Sequence, residues 1–188
     1  ATGDLVRVPP VRVPEPREDA AAVPPREFPL LFEDEHLLAI AKPAGVAVHG
    51  GSGVSFGVIE ALRRQRPLAK FLELAHRLDR ETSGVLLVGK KRSALTALHD
   101  MFREHGAGAD KRYLVLVKGR WMNTTQHVKL PLYKYLTESG ERRVSVNPEG
   151  KASHTVFRLL ARWPEMSLLE AQLKTGRTHQ IRVHLAHL

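Results

Sequence analysis

At 188 residues and 43% apolar composition, the chain is the size of one ordinary domain and carries enough hydrophobic surface to build a core. Without a single cysteine, disulfides, thiolate metal sites and cysteine nucleophiles are excluded; no apolar run approaches the roughly 20 residues that cross a bilayer, and the first residues do not read as a signal peptide, so a cytoplasmic protein is expected. Lys and Arg total 29 against 20 Asp and Glu, a net charge of +9, and such an excess points to a polyanionic partner, nucleic acid before any other.

Residues 1–29 hold seven of the twelve prolines together with Arg7, Arg12, Arg17 and Arg26. A segment short of amide donors and without hydrophobic period reads as a flexible basic linker, which suggests that this chain is a fragment of something longer. From Leu30 a globular domain is expected to run to Leu188. Leu30-Leu31 and Leu37 to Ile40 flank the acidic turn Glu33-Asp34-Glu35, a tight pair of strands. Lys42-Pro43-Ala44-Gly45 is a turn, and His49-Gly50-Gly51-Ser52-Gly53 allows close backbone approaches but is no Walker loop, since no Gly-Lys-Ser/Thr follows. Between Phe56 and Arg66, Val58, Ile59 and Leu62 follow helical spacing. Arg63, Arg64 and Arg66 at the end of that helix suit its dipole and are equally able to touch phosphate.

A short apolar piece, Phe71 to Ala75, leads into His76-Arg77-Leu78-Asp79-Arg80-Glu81-Thr82-Ser83-Gly84 and then the apolar run Val85 to Val88, a loop feeding a strand. Asp79 lies between Arg77 and Arg80. Nearby positive charge favours a charged carboxylate, which serves either as a plain ion pair or as a nucleophile or base. Ser93 is the expected N-cap of a helix with Leu95, Leu98, Met101 and Phe102 on one face, ended by Gly106 and Gly108. Lys111 to Val117 is strand-like, with Tyr113 either a core-edge residue or a platform for a ligand. From Trp121 to Trp163 weak alternation, broken at Ser139-Gly140 and Asn147 to Gly150, indicates antiparallel hairpins, and Ser167 to Leu173 is a further strand. The last stretch, Lys174 to His184, is a basic turn entering a helix near Thr178, with Ile181, Leu185 and Leu188 on its core face and Arg182 off that face, free to pair with a carboxylate. None of the ten histidines makes an H-E-x-x-H pair, and His179, His184 and His187 lie among arginines that would repel a cation, so no metal site is expected.

Together these stretches resemble the RluA-type pseudouridine synthases. His76, Arg77, Leu78, Asp79, Thr82, Ser83 and Gly84 match the family's His-Arg-Leu-Asp-x-x-Thr-Ser-Gly loop without a gap. Lys42-Pro43 with Gly45 is similar to its K-P-x-G, Lys111-Arg112-Tyr113 to its Lys-x-Tyr, and Gly176 to His184 to its last motif. The stretch from His49 to Lys91 is most similar to the branch that acts on large-subunit ribosomal RNA.

The resemblance implies an α+β pseudouridine synthase fold, a long and mostly antiparallel sheet with flanking helices, isomerising uridines of RNA, and 23S rRNA in particular, without cofactor or metal. It also implies Asp79 as the catalytic residue, Tyr113 packing against the target base, Arg182 pairing with the aspartate and Ile181 packing beneath the site. Arg77 would fill the space that the uridine vacates, and Arg177 would meet phosphate or hold the turn. A monomer is expected, lacking the S4-type RNA-binding domain that precedes the linker in relatives and truncated at its C-terminal end. Two other classes are compatible with the residues: a non-catalytic RNA-binding or ribosome-assembly module, and a glycosidic hydrolase, which needs a second positioned carboxylate.

Overall fold

The computed structural model describes residues 26–51, 56–103 and 108–188; residues 1–25 of the expected linker, Ser52, Gly53 and Gly106 lie outside the described residues. Residues 26–29 already pack on the domain: Phe28 lies against the first core, the Pro29 carbonyl accepts from the Ala41 amide at 2.9 Å, and Gln65 Nε2 donates to the Arg26 carbonyl.

The first half is a four-stranded sheet covered by two helices. Strands β1 (Leu30–Glu33) and β2 (Leu37–Lys42) pair across the acidic turn, where the Asp34 carboxylate takes the amides of His36 and Leu37 at 2.7 and 2.8 Å. Strands β3 (Glu73–Leu74) and β4 (Gly84–Gly89) complete the order β1-β2-β4-β3. Helix α1 (Val58–Gln65) buries Val58, Ile59, Ala61 and Leu62 against Leu38, Ile40, Leu86 and Val88 of the sheet. Full burial of a valine, isoleucine or leucine side chain of this kind is worth about 1.5–3 kcal/mol.

The start of α1 is fixed by neighbours rather than by its own cap. Glu60 reaches back to the Gly57 amide at 2.8 Å, half of a capping box that glycine cannot return, while the Ala47 and Val48 carbonyls accept from Val58 and Ile59 at 2.9 and 3.1 Å. A Cβ on Gly57 would lie 2.5 Å from the His49 backbone, so only glycine permits this approach. At the other end Arg63 is held by the Leu72 carbonyl and Glu73, both at 2.8 Å, and Arg66 by Glu33 at 3.1 Å, a structural use for two of the three arginines.

Helix α2 (Arg92–Arg103) turns Leu95, Leu98, Met101 and Phe102 inward as the spacing predicts, but it starts earlier than Ser93. The Lys91 carbonyl takes the first helical bond, from Leu95 at 3.0 Å, because Lys90 and Lys91 are anchored to Glu33 and Glu35 of the β1–β2 turn at 2.8 and 3.0 Å.

In the second half, β5 (Lys111–Lys118), β6 (Thr125–Val128), β9 (Thr155–Arg162) and β10 (Met166–Leu173) form a sheet in the order β5-β10-β9-β6. The hairpin β7 (Leu132–Leu136) and β8 (Arg142–Val146) stands as a separate two-stranded ribbon. Its core gathers Val128, Phe157, Leu169 and Ala171 beneath helix α3 (Gln180–His187). Every strand pairing among the described residues is antiparallel, but the one long sheet expected from the resemblance is divided into two four-stranded sheets and the β7–β8 ribbon. Alternation along a strand tells which face is buried and not which strand lies beside it. Tyr113 packs on both cores and joins them. No helix among the described residues is long and apolar enough to cross a membrane.

Candidate active site

Asp79 sits in the loop between β3 and β4, and the loop is fastened on both sides. Before it, Leu78 is buried in the first core, and the Leu87 amide donates to His76 Nε2 at 3.1 Å. After it, the Thr82 amide closes a turn on the Asp79 carbonyl at 3.0 Å. Gly84 then enters β4 with φ of +132°, a conformation side chains rarely adopt, which accounts for the glycine that ends the motif.

From below, the loop rests on Lys42. That side chain is buried, 1% exposed, and its ammonium donates to the carbonyls of Val46, Pro43 and Arg80 at 2.6, 2.9 and 3.1 Å. Burial pushes Lys42 below its ordinary value, while the negative charges of Glu81 and Asp79 oppose that shift. The Lys-Pro turn is therefore more than a turn: its lysine ties the Pro43–Val46 segment to the Asp79 loop, and Arg80 Nε repeats the tie to the Gly45 carbonyl at 3.2 Å.

The charges on Asp79 are not the flanking ones. Arg80 turns to Gly45 and Glu81, and Arg77 is exposed and makes no ion pair among the described residues. Consecutive side chains of an extended loop diverge, so neighbours in sequence rarely meet. Asp79 is met instead by α3 and its N-cap: Arg182 Nη2 lies 3.6 Å from Oδ2, and the N-cap residue His179 brings Nδ1 to 2.8 Å from the same oxygen. Arg182 thus meets Asp79 through a single long contact rather than a bidentate pair, and His179 is the closer partner that sequence reading passed over.

Helix α3 can present these groups because its opposite face is pinned by polar side chains. Gln180 is buried and fully used: Oε1 accepts from Thr175 Oγ1 and the Arg177 amide at 2.8 and 3.0 Å, and Nε2 donates to Thr155 Oγ1 and the His154 carbonyl at 2.9 and 3.1 Å. His184, one turn on and fully buried, lies 3.2 Å from the Leu130 carbonyl through Nε2 and 2.9 Å from Thr155 Oγ1 through Nδ1. A carbonyl only accepts, so Nε2 carries the hydrogen and Nδ1 accepts the Thr155 hydroxyl. Burial holds His184 below its ordinary value, in keeping with a neutral ring.

The expected apolar face is accordingly corrected. Ile181 and Leu185 are half-buried against the second core, but Leu188 is 55% exposed, and the buried positions are Gln180 and His184. The helix also begins at Gln180 rather than near Thr178, because the Gln180 side chain holds Thr175 to Arg177 as a turn. Arg177 Nε donates to the Ala152 carbonyl at 3.2 Å, which holds that turn.

Tyr113, on β5, is half-buried; burial and then the charge of Asp79 raise its phenol above the ordinary value, so the ring is neutral and close enough to feel the carboxylate. Beyond Arg182 and His179 a groove of about 510 Å³ runs between α3 and β8, lined by Arg142, Arg143 and His187 among others, with Glu141 the one acidic side chain in its wall. The second loop carboxylate, Glu81, pairs with Arg80 at 3.5 Å and is 65% exposed.

His76 gives the loop a pH dependence. Burial, which outweighs a hydrogen bond to the Arg77 backbone, pushes it from 6.5 down to about 4. A depressed folded-state value means stabilisation that is present above 6.5 and lost as pH falls towards 4, where the unfolded chain takes up a proton that the folded one refuses. The expected loss from this residue is on the order of 3 kcal/mol between those limits. Chemical denaturation at pH 7.5 and pH 4.5 checks it: His76→Gln should shrink the difference in unfolding free energy between the two pH values.

The sequence profile described as RNA pseudouridylate synthase matches residues 36–187. The chain is 54% identical over 187 residues to the Ribosomal large subunit pseudouridine synthase C of Escherichia coli (strain K12), covering 97% of this chain and 58% of that protein. It is 55% identical over 186 residues to the protein of the same name from Pasteurella multocida (strain Pm70), covering 96% and 56%. It therefore spans a little over half the length of these curated relatives. Among solved structures, Human RNA Pseudouridylate Synthase Domain Containing 4 superposes with a TM-score of 0.68 at 25% identity over 85% of this chain and 64% of that one. Human RNA Pseudouridylate Synthase Domain Containing 1 gives 0.71 at 22% identity over 86% and 65%, a likeness of fold. The α+β architecture, the four motifs in order and the profile across 36–187 agree, and the chain belongs to the RNA pseudouridylate synthase family.

Proposed function

We propose that this chain is the catalytic part of an enzyme that converts uridines of large-subunit (23S) ribosomal RNA to pseudouridine. The observation that carries the reading is a single carboxylate, Asp79, on a fastened loop, with its Oδ2 met by Arg182 of α3 and by His179 at the helix N-cap, and Tyr113 within reach of its charge. The reaction breaks the N1–C1′ bond, rotates the uracil and bonds C5 to the same carbon; the C5 hydrogen leaves as a proton and N1 regains one, so nothing is oxidised or reduced. One carboxylate suffices as nucleophile or base, and no cofactor or metal is required.

In this reading Asp79 is the catalytic residue, Tyr113 packs against the flipped base and Ile181 closes the floor. Arg182 pairs with the carboxylate, and Arg77, exposed beside Asp79, fills the stack that the uridine leaves. Arg177 keeps the turn that aims α3. The basic groove along β8 would carry neighbouring phosphates, in line with the net charge of +9. The enzyme would act as a monomer in the cytoplasm, where ribosomal RNA is made.

The test is tritium release from unmodified large-subunit ribosomal RNA labelled at uridine C5, since only replacement of the C5 hydrogen frees that label. Release by this chain, or by the chain extended to the length of its relatives, is the expected result. RNA binding without release by either form would make the protein a binding module, and free uracil would make it a hydrolase.

A further inference from the structure

His179 is the one non-glycine residue with positive φ among the described residues, at φ 52° and ψ 23°. The left-handed conformation costs a side-chain-bearing residue about 1–2 kcal/mol. It survives because both sides are fixed: Gln180 is pinned by four hydrogen bonds, and the Arg177 carbonyl receives the Gln180 amide at 3.2 Å. Strain held in place next to a reactive group is a reason to ask what it serves. Here it turns the imidazole away from the course of the helix and onto Asp79, 100 positions earlier in the chain, with Nδ1 2.8 Å from Oδ2.

The contacts from α3 and from its N-cap both fall on that one oxygen. Arg182 Nη2 also approaches Oδ2, whereas Oδ1 has no hydrogen-bond partner among the described residues. The two carboxylate oxygens are thus unlike: one is occupied by the protein, the other is available.

We propose that His179 is a positioning residue for the isomerisation, donating Nδ1–H to Asp79 Oδ2 so that the carboxylate cannot rotate and Oδ1 is the oxygen presented to the uridine. This rests on the function proposed above. A carboxylate accepts only, so Nδ1 carries the hydrogen whether the ring is neutral or charged. His179 itself touches no reacting atom; it fixes the rotamer of the group that does, where a small misplacement has a large kinetic cost.

Three substitutions separate the hydrogen bond from the backbone. Asparagine accepts the left-handed conformation and offers an amide donor in roughly the place of Nδ1; glycine accepts the conformation and offers nothing; alanine does neither. In tritium release, His179→Asn should keep most of the wild-type kcat. His179→Gly should lower kcat about 10- to 100-fold, the range for a hydrogen bond to a charged group, with KM little changed and a melting temperature no lower than wild type. His179→Ala should lose kcat and melt earlier. Wild-type kcat in the glycine variant, or a rise in KM alone, overturns the proposal.

A second measurement does not depend on turnover. The ¹⁵N shifts of His179 in the intact chain should show Nδ1 protonated in the wild type, and Asp79→Ala should release that preference. A ring protonated only at Nε2 in the wild type overturns the proposal even if the chain is an active synthase, and an Nδ1–H ring in a chain that releases no tritium leaves the contact standing while the proposed function fails.

Discussion

Asp79→Asn will reduce tritium release by roughly a thousandfold or more while RNA affinity stays close to that of the wild type. Asparagine keeps the shape of the side chain and, at a site where the carboxylate is 31% exposed, little of the fold depends on it. What it removes is the carboxylate that Arg182 and His179 meet; the loop's other carboxylate, Glu81, is 65% exposed and pairs with Arg80 at 3.5 Å. The amide oxygen can take the place of Oδ2 and accept from His179 Nδ1–H and the Arg182 guanidinium, which leaves the amide nitrogen, a donor without a basic lone pair, where Oδ1 stood. Binding should survive because affinity for RNA resides in cations, and deleting a negative charge beside a polyanion does not weaken it. The checks are tritium release at saturating RNA and filter binding at fixed salt. Parallel loss of both would mean that Asp79 holds the binding surface together, and unchanged release would remove it from the chemistry.

The strands and helices were legible wherever one face is buried. β5 alternates along its whole length, α1 repeats at helical spacing, and both emerge where the pattern places them. The loop of Asp79 was legible for a partly mistaken reason. Its chemistry is read from the adjacent arginines, yet Arg80 is engaged elsewhere, Arg77 makes no ion pair among the described residues, and the groups that meet the carboxylate, Arg182 and His179, come from about a hundred positions later in the chain. No periodicity carries that information; only the motif as a whole pointed to Arg182, and nothing in it singled out His179. The same blindness applied to the pins. Gln180 and His184 share a helical face, but a polar pair at that spacing ordinarily reads as solvent-facing, and their burial follows from partners on β9 and in the segments beside it that a local reading cannot see. Lys42 escaped for a similar reason: beside a proline it reads as a turn, and its three carbonyl acceptors come from segments on either side of the site.

His184→Ala will lower stability by about 2–4 kcal/mol and the melting temperature by about 4–16 °C. The ring is fully buried, and its removal leaves a cavity together with Ser153 Oγ, 2.9 Å from Nε2, and Thr155 Oγ1, 2.9 Å from Nδ1, each short of a partner. The Leu130 carbonyl keeps Ser153 at 2.6 Å, so the damage centres on Thr155, which also receives Gln180 and thereby passes the disturbance along the helix. Eight residues are too few to hold a helix without tertiary contacts, so α3 stands where Gln180 and His184 fasten it. Activity should therefore fall at temperatures where the protein is still folded, because Arg182 and His179 ride on the same helix and meet Asp79 only while it is seated. His184→Asn, able to accept from Thr155, should recover part of the stability and more of the activity. Leu188→Ser, at a position the apolar spacing assigned to the core but which is 55% exposed, should change stability by no more than about 0.5 kcal/mol. Thermal melts of the three variants beside tritium release at 25 °C separate the contributions. A His184→Ala protein that melts early but turns over at the wild-type rate while folded would show that the pin serves stability alone and that the seating of α3 is set elsewhere, by Gln180.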